Sequence, residues 1–302
     1  CTIETIDVKT RQRLFNYTIE DIQEVITPMA QNAKEALGSM GIDTPLAVLS
    51  DRPQLISNYF KQLFAQVTNP PLDGIREEIV TDISLSLGQD RNVFDITEEQ
   101  CHKLKIQNPV ISNADLEKIR NISIKHFKAE TILIHYPKLK GVNGLEDALE
   151  RLVTSVEKAI DSGVNIIILS DRGVNQENAP IPSLLACSYV HHQMNRLRKR
   201  SFFDIIIESA EPREPHHFAT LFGYGASAIN PYMVNEIIRM QVKEGFIENM
   251  DEDAAVENFN KAIGKGLLKI MNKIGISTLH SYRGSQIFEI VGFNSKFVEK
   301  YF

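Results

Sequence analysis

The chain has no tryptophan and only three cysteines, Cys1, Cys101 and Cys187, in 302 residues. An odd number of widely scattered cysteines forms neither a disulfide framework nor a metal-ligand spacing. No apolar run approaches the roughly 20 residues of a membrane span, and the N-terminus lacks the apolar core of a signal peptide. The expectation is a cytoplasmic chain with no membrane partner. A cationic surplus is also missing, because 33 Lys+Arg face 39 Asp+Glu for a net charge of −6. That balance argues against a general nucleic-acid binder, which must neutralise phosphates. The one basic run, "RLRKR" at Arg196 to Arg200, falls at the end of a predicted helix, where cations suit the helix dipole. Neither GxGxxG nor HExxH occurs. "GKG" at Gly264 to Gly266 lies within a helical pattern, where glycine permits close packing. An N-terminal cysteine can be a nucleophile with its own amino group as base. Here "CTIETIDVKTRQ" is polar and charged, so Cys1 reads instead as the cut end of a longer polypeptide.

What is present is ordinary for a globular protein: 43% hydrophobic and 24% charged residues. "EDIQEVITPMAQNAKEAL" predicts a helix interrupted at Pro28, and "TPLAVLSDRPQLISNYFKQLFAQVTNPPLD" a short strand, a turn at Asp51 to Pro53 and a helix ending before Asn69. "TDISLSLG" alternates as a half-buried antiparallel strand does. From "TILIHYP" onward, all-apolar runs alternate with helical patterns: "VNIIILSD", "FFDIIIES" and "ASAINPY" each precede one. Such runs imply parallel strands joined by right-handed crossovers. A helix is predicted from Glu252 to Lys273 and a final short one at "SQIFEIVGF". Roughly six parallel strands fall short of the eight that close a (β/α)₈ barrel. The fold class is therefore α/β, an incomplete, rudimentary TIM-barrel-like domain with mostly parallel strands.

Residues just past parallel strand ends line the functional face of such folds. The tetrapeptide "LSDR" occurs twice, at Leu49 to Arg52 and at Leu169 to Arg172, each after an apolar run. Asp51, Arg52, Asp171, Arg172 and Glu208 are thus strand-end candidates, with Ser209 and Asn230 beside them. An Asp-Arg pair can bind a carboxylate or exchange protons. It can equally pin its own loop, and the loop-pinning reading is preferred because no nucleophile–base set accompanies it. "ESAEPREPHHFATLFGYG" gathers Glu208, Glu211, Glu214, His216 and His217, an inventory suited to a metal. Adjacent helical residues diverge by about 100°, however, so the two histidines do not share one ion. Pro215 and Glu214 suit a helix start.

Long ordered stretches resemble the central domain of the glutamate synthase large subunit. They are "NYTIEDIQEVITPMAQNAKEALGSMGIDTPLAVLSDRPQLISNYFKQLFAQVTNPPLDGIREE", "IIILSDRGV", "IIIESAEPREPHHFATLFGYGASAINPY" and "KGLLKIMNKIGISTLHSYRGSQIFEIVG". The resemblance implies a flavin-free connecting domain between an amidotransferase domain and an FMN-binding barrel of the same polypeptide. In the family, glutamine-derived ammonia passes through a tunnel to join 2-oxoglutarate and give glutamate. The turns that match the tunnel-facing ones are Ser39-Met40-Gly41 and Thr68-Asn69-Pro70. Met40, Gly41, Thr68, Asn69 and Pro70 are accordingly the tunnel-facing candidates, with Ile42 standing where a polar residue is expected. The implied layout is a lead-in over residues 1–24, the central domain over 25–292 and a hand-over to the barrel over 293–302. FMN and an iron–sulfur cluster are expected outside this chain, as is a small subunit or ferredoxin. The chain alone is expected to hold no cofactor or metal and to be inactive. The alternative is a stand-alone enzyme or small-molecule-binding domain using Asp171, Arg172 and Glu208.

Overall fold

The computed structural model describes residues 7–36, 45–64, 76–92 and 94–302. Its centre is a parallel sheet of four strands, β1 (Ala129–Leu133), β2 (Ile166–Ser170), β3 (Asp204–Glu208) and β4 (Ala228–Asn230), in the spatial order β1-β2-β3-β4. Each strand is followed by a helix: α1 (Gly141–Asp161), α2 (Ser183–Arg196), α3 (Pro215–Gly223) and α4 (Tyr232–Lys243). Strands consecutive within the sheet are therefore neighbours in space. That is half of a (β/α)₈ barrel, left open.

β2, β3 and β4 are buried on both faces because both faces are covered, whereas the outer strand β1 keeps Glu130 and Leu133 exposed. Ile167, Leu169, Ile205, Ile207 and Ile229 belong to the main core with the apolar stripes of the four helices. Ile166, Ile168, Ile206 and Ala228 face the other way, against Leu87, Ile111, Leu116 and Ile119. In a closed barrel this second face would line the interior. Here it is filled by the helix Asn113–Arg120, which is N-capped by Ser112. A hairpin of Leu85–Leu87 with Leu104–Ile106 completes the cover, as the alternation in "TDISLSLG" predicts. The free side of β4 is occupied in turn. Ile229 N–H donates to the Pro109 carbonyl at 2.8 Å, and Ile111 N–H donates to the Ile229 carbonyl at 2.9 Å.

Several expectations are corrected. "PLAV" is no strand but leads into a single 3₁₀ turn, Ala47–Leu49. The helix expected after Pro53 is a 3₁₀ turn, Ile56–Tyr59, running into a strand, Phe60–Gln62. Its partner is Phe288–Ile290, inside the stretch expected to be the last helix. The reason is tertiary. Phe60 is buried edge-on to Tyr224 at 5.3 Å, and Phe288 and Ile290 flank exposed Glu289 with the period of a strand. "TILIHYP" also divides, since His135–Pro137 leaves the sheet after β1 and pairs antiparallel with Asn178–Pro180. The interrupted helix resolves into a π-helical segment, Asp21–Ile26, and an α-helix, Thr27–Asn32, with Pro28 at the junction.

The long helix Glu252–Ile274 is capped by Asp251 and ends at Gly275, φ +81°. It carries "GKG" on a packed side. A Cβ at Gly266 would lie 2.9 Å from Pro215, and one at Gly264 would lie 3.1 Å from Ile83. These glycines serve close approach between elements, the role their helical setting suggests.

Candidate functional site at the strand ends

In register, Leu133, Ser170, Glu208 and Asn230 end the four strands side by side. Residues two apart share a face, so Glu208 projects with Ile206 toward the helix Asn113–Arg120. Its carboxylate, 1% exposed, accepts from Ser170 Oγ (2.6 Å), Arg120 Nη2 (2.8 Å) and Arg172 Nε (2.5 Å). Burial works against its charge, but Arg172, the Ser170 hydroxyl and Arg120 outweigh it and hold Glu208 below the usual carboxylate range. Asn230 follows the same logic, donating to the Ile111 carbonyl and to Asn113 Oδ1, both at 2.9 Å.

Asp171, one residue on from Ser170, is 1% exposed and accepts from Ser209 Oγ (2.6 Å) and Ala210 N–H (3.0 Å). Burial pushes its carboxyl up to about 7, and the Ser209, Tyr232 and Ala210 hydrogen bonds only partly oppose that. Glu211, also raised by burial, accepts from Ser183 N–H (2.8 Å) and Ser183 Oγ (2.5 Å). It thereby places a carboxylate at the start of α2, where the helix dipole favours one. Arg172 lies 4.0 Å over the Tyr232 ring and reaches Glu236 at 3.6 Å.

The N-terminal segment is laid across this edge. Arg11 pairs with Glu236 at 2.5 Å. Arg213, 4% exposed, donates to the Phe15 carbonyl (2.8 Å), the Asn16 carbonyl (3.1 Å) and Asp21 (2.6 Å). It sits 3.9 Å over Tyr17, whose hydroxyl donates to the Ala210 carbonyl at 2.7 Å. The strand-end carboxylates are thus occupied by internal donors and roofed by residues 11–21. Among the described residues no nucleophile–base pair is assembled there.

The first "LSDR" is placed differently. Asp51 and Arg52 are exposed and do not follow a strand, which corrects the strand-end expectation for them. Among the described residues neither side chain makes a hydrogen bond or ion pair. The local clip is Ser50 Oγ, which accepts from Arg52 N–H at 3.2 Å. Met40, Gly41, Thr68, Asn69 and Pro70 lie outside the described residues, as does Cys1. Cys101 is exposed and Cys187 buried, the Cys187 thiol pushed up to about 12 by burial.

His216 and His217 bind the Ile56–Tyr59 turn rather than converge. His216 Nε2 lies 3.0 Å from the Ser57 carbonyl. His217 Nδ1 accepts from Arg213 N–H at 3.4 Å, leaving its proton on Nε2, which reaches Glu214 at 3.0 Å and Asn58 Oδ1 at 3.2 Å. That hydrogen bond holds Glu214 down at about 2. Among the described residues no three His, Cys, Asp or Glu side chains are grouped to hold a metal ion, and no helix is long and apolar enough to cross a membrane.

Sequence reasoning did not single out Arg120, Arg213, Tyr17, Arg11, Tyr232 or Glu236. "EPREP" around Arg213, a cation between two prolines and two acids, was the only local hint among them.

A family model for the glutamate synthase central domain matches residues 10–294. The chain is 45% identical over 296 residues to the glutamate synthase [NADPH] large chain of Bacillus subtilis, covering 98% of this chain and 19% of that protein. It is 41% identical over 291 residues to the glutamate synthase [NADH] of Schizosaccharomyces pombe, covering 95% and 14%. A ferredoxin-dependent glutamate synthase of Synechocystis is 38% identical over 305 residues, covering 97% and 19%. The chain therefore spans about a fifth or less of the length of these relatives. Among solved structures, the flavin-binding domain of baker's yeast flavocytochrome b2 aligns with 98% of this chain and 96% of that one, at 11% identity and a TM-score of 0.44. The match of the family model over nearly the whole chain, with relatives of 38–45% identity beside it, makes this chain a member of the glutamate synthase central domain family.

Proposed function

We propose that the chain is the non-catalytic connecting domain of a glutamate synthase, which turns glutamine, 2-oxoglutarate and reducing equivalents into two glutamates. In this reading it joins the amidotransferase and FMN-binding domains of one polypeptide. Met40, Gly41, Thr68, Asn69 and Pro70 face the ammonia path between them. The observation that carries the reading is the state of the strand-end face. Glu208 and Asp171 have their oxygens engaged by internal donors, and the sheet face that would line a barrel interior is packed by Leu116 and Ile119. A flavin needs an open strand-end mouth and free donors for its phosphate, and the described residues do not fit one. FMN and the iron–sulfur cluster belong to other parts of the enzyme, with a small subunit or ferredoxin as electron-delivering partner. Relatives named for NADPH, NADH and ferredoxin all match this stretch at comparable identity, so the choice of donor resides elsewhere in the polypeptide.

Two measurements test this. Calorimetric titration of the 302-residue chain with FMN, glutamine and 2-oxoglutarate should give no tight binding; tight binding of any of them would overturn the connecting-domain reading. In the complete enzyme, Thr68→Phe should uncouple glutamine hydrolysis from glutamate formation, so that ammonia is released. If the two rates stay matched, Thr68 does not lie on the path.

A further inference from the structure

Between α2 and the C-terminal helix Ser295–Tyr301 lies a groove of about 710 Å³, away from the strand ends. Its walls are aromatic: Tyr224, Phe288, Phe293 and Phe302. The Tyr224 ring stands 5.4 Å from Phe302, edge to face, and 6.0 Å from Phe288. Aromatic walls with a few convergent polar groups are the usual make-up of a small-molecule site of this size. Glycines allow the walls to approach. A Cβ at Gly223 would fall 2.5 Å from the Phe288 ring, and one at Gly225, φ +108°, would fall 2.3 Å from His191 Nδ1.

His191 supplies the polar group, in a fixed state. Arg200 Nε, which always carries hydrogen, donates to His191 Nδ1 at 3.0 Å. Nδ1 is therefore an acceptor and the ring proton sits on Nε2. That nitrogen lies 3.8 Å from the Cβ position of Gly284, another lining residue, and among the described residues no acceptor takes its hydrogen. Burial, then the Arg200 and His192 charges, holds the imidazole down at about 3, so the ring stays neutral. Arg200 donates otherwise to the carbonyls of Phe203 (2.6 Å) and Gly225 (2.9 Å). No carboxylate among the described residues lies within ion-pair distance of it. Its positive charge therefore polarises the imidazole and strengthens Nε2–H toward an anionic acceptor. Glu299 on the rim is exposed, where solvent and salt screen it.

We propose that this groove binds a small aromatic carboxylate, its ring resting against the aromatic wall and one carboxylate oxygen accepting from His191 Nε2–H. The test is an NMR titration of the 302-residue chain with benzoate, with benzyl alcohol as the uncharged control. Benzoate should shift groove resonances saturably and bind about tenfold more tightly than benzyl alcohol, as a charge-assisted hydrogen bond requires. His191→Phe should abolish that preference while benzyl alcohol still binds. His191→Gln, whose amide can accept from Arg200 and donate to the ligand, should restore part of it. Phe293→Ala should weaken both probes, and it remains informative if the His191 variants fail to fold. Absence of saturable shifts, shifts confined to other surfaces, or an unchanged preference in His191→Phe would overturn the proposal. So would loss of benzoate binding in a longer polypeptide, since that result makes a protein segment the occupant.

Discussion

The two "LSDR" segments share four residues and almost nothing else. At Leu169 to Arg172 the copy ends a strand buried on both faces, so Ser170, Asp171 and Arg172 emerge at the carboxyl end of the sheet beside β3 and meet Glu208, Ser209 and Ala210. At Leu49 to Arg52 the preceding residues form one 3₁₀ turn on the surface, with Leu49 71% exposed. There Asp51 and Arg52 point into solvent. The difference teaches that the tetrapeptide carries no role of its own. Burial of the neighbouring strand forces its polar groups to find partners, because an unpaired buried charge costs several kcal/mol.

The comparison is broken most forcefully at Glu208. Glu208→Gln removes the charge shared by Arg172 and Arg120 and leaves two guanidiniums facing a neutral amide. Removing one partner of a fully buried pair costs roughly 3–5 kcal/mol. Because these arginine side chains are 31% and 28% exposed, water recovers part of that, and about 2–4 kcal/mol is expected in urea unfolding. A loss below about 0.5 kcal/mol, the usual range for a surface change, would put the second "LSDR" on the same footing as the first.

Asp171 should come next, with an effect that depends on pH. Asp171→Ala deletes the acceptor for Ser209 Oγ and Ala210 N–H and should cost roughly 1–3 kcal/mol. The pH dependence has a definite sign. The folded-state value is raised from an ordinary 3.8 to about 7, so the native state holds a proton that the unfolded chain releases. This stabilisation is fully present below about pH 4 and is lost as pH rises through about 7. Measured against Asp171→Asn, which cannot titrate, the unfolding free energy of the unaltered chain should therefore fall between about pH 4 and 7. Glu208 shifts the opposite way and is common to both proteins, so the difference isolates Asp171. A flat difference across that window would mean Asp171 stays ionised.

The parallel strands and their helices were legible in the sequence because burial on both faces leaves apolar runs, and amphipathic burial leaves a helical period. The partners of the strand-end acids were not legible. Arg120 lies 88 residues before Glu208, and Arg213 reaches back 198 residues to Phe15. No local period records such pairs. Phe60–Gln62 and Phe288–Ile290 carry no strand signal of their own for a related reason, since each is a strand only because the other is there. For the site, Asp171, Arg172 and Glu208 could be named from strand-end position alone. Their saturation by Ser170, Ser209 and Arg120 could not, because those contacts depend on register and on a helix packed over the second face.

The smallest effect sharpens the comparison from the other side. Asp51→Ala and Arg52→Ala should each change unfolding free energy by no more than about 0.5 kcal/mol, since neither side chain has a partner to lose among the described residues. Neither variant should alter the pH dependence assigned to Asp171. The Ser50 clip offers the contrast within the same turn. Ser50 Oγ accepts from Arg52 N–H and from Gln54 Nε2 at 3.1 Å, so Ser50→Ala should cost more than either neighbour, by about 0.5–1 kcal/mol. If Asp51→Ala proves as costly in this chain as Asp171→Ala, the exposed position of the first "LSDR" is wrong. That aspartate would then have a buried partner, and the two copies would be structural equivalents after all.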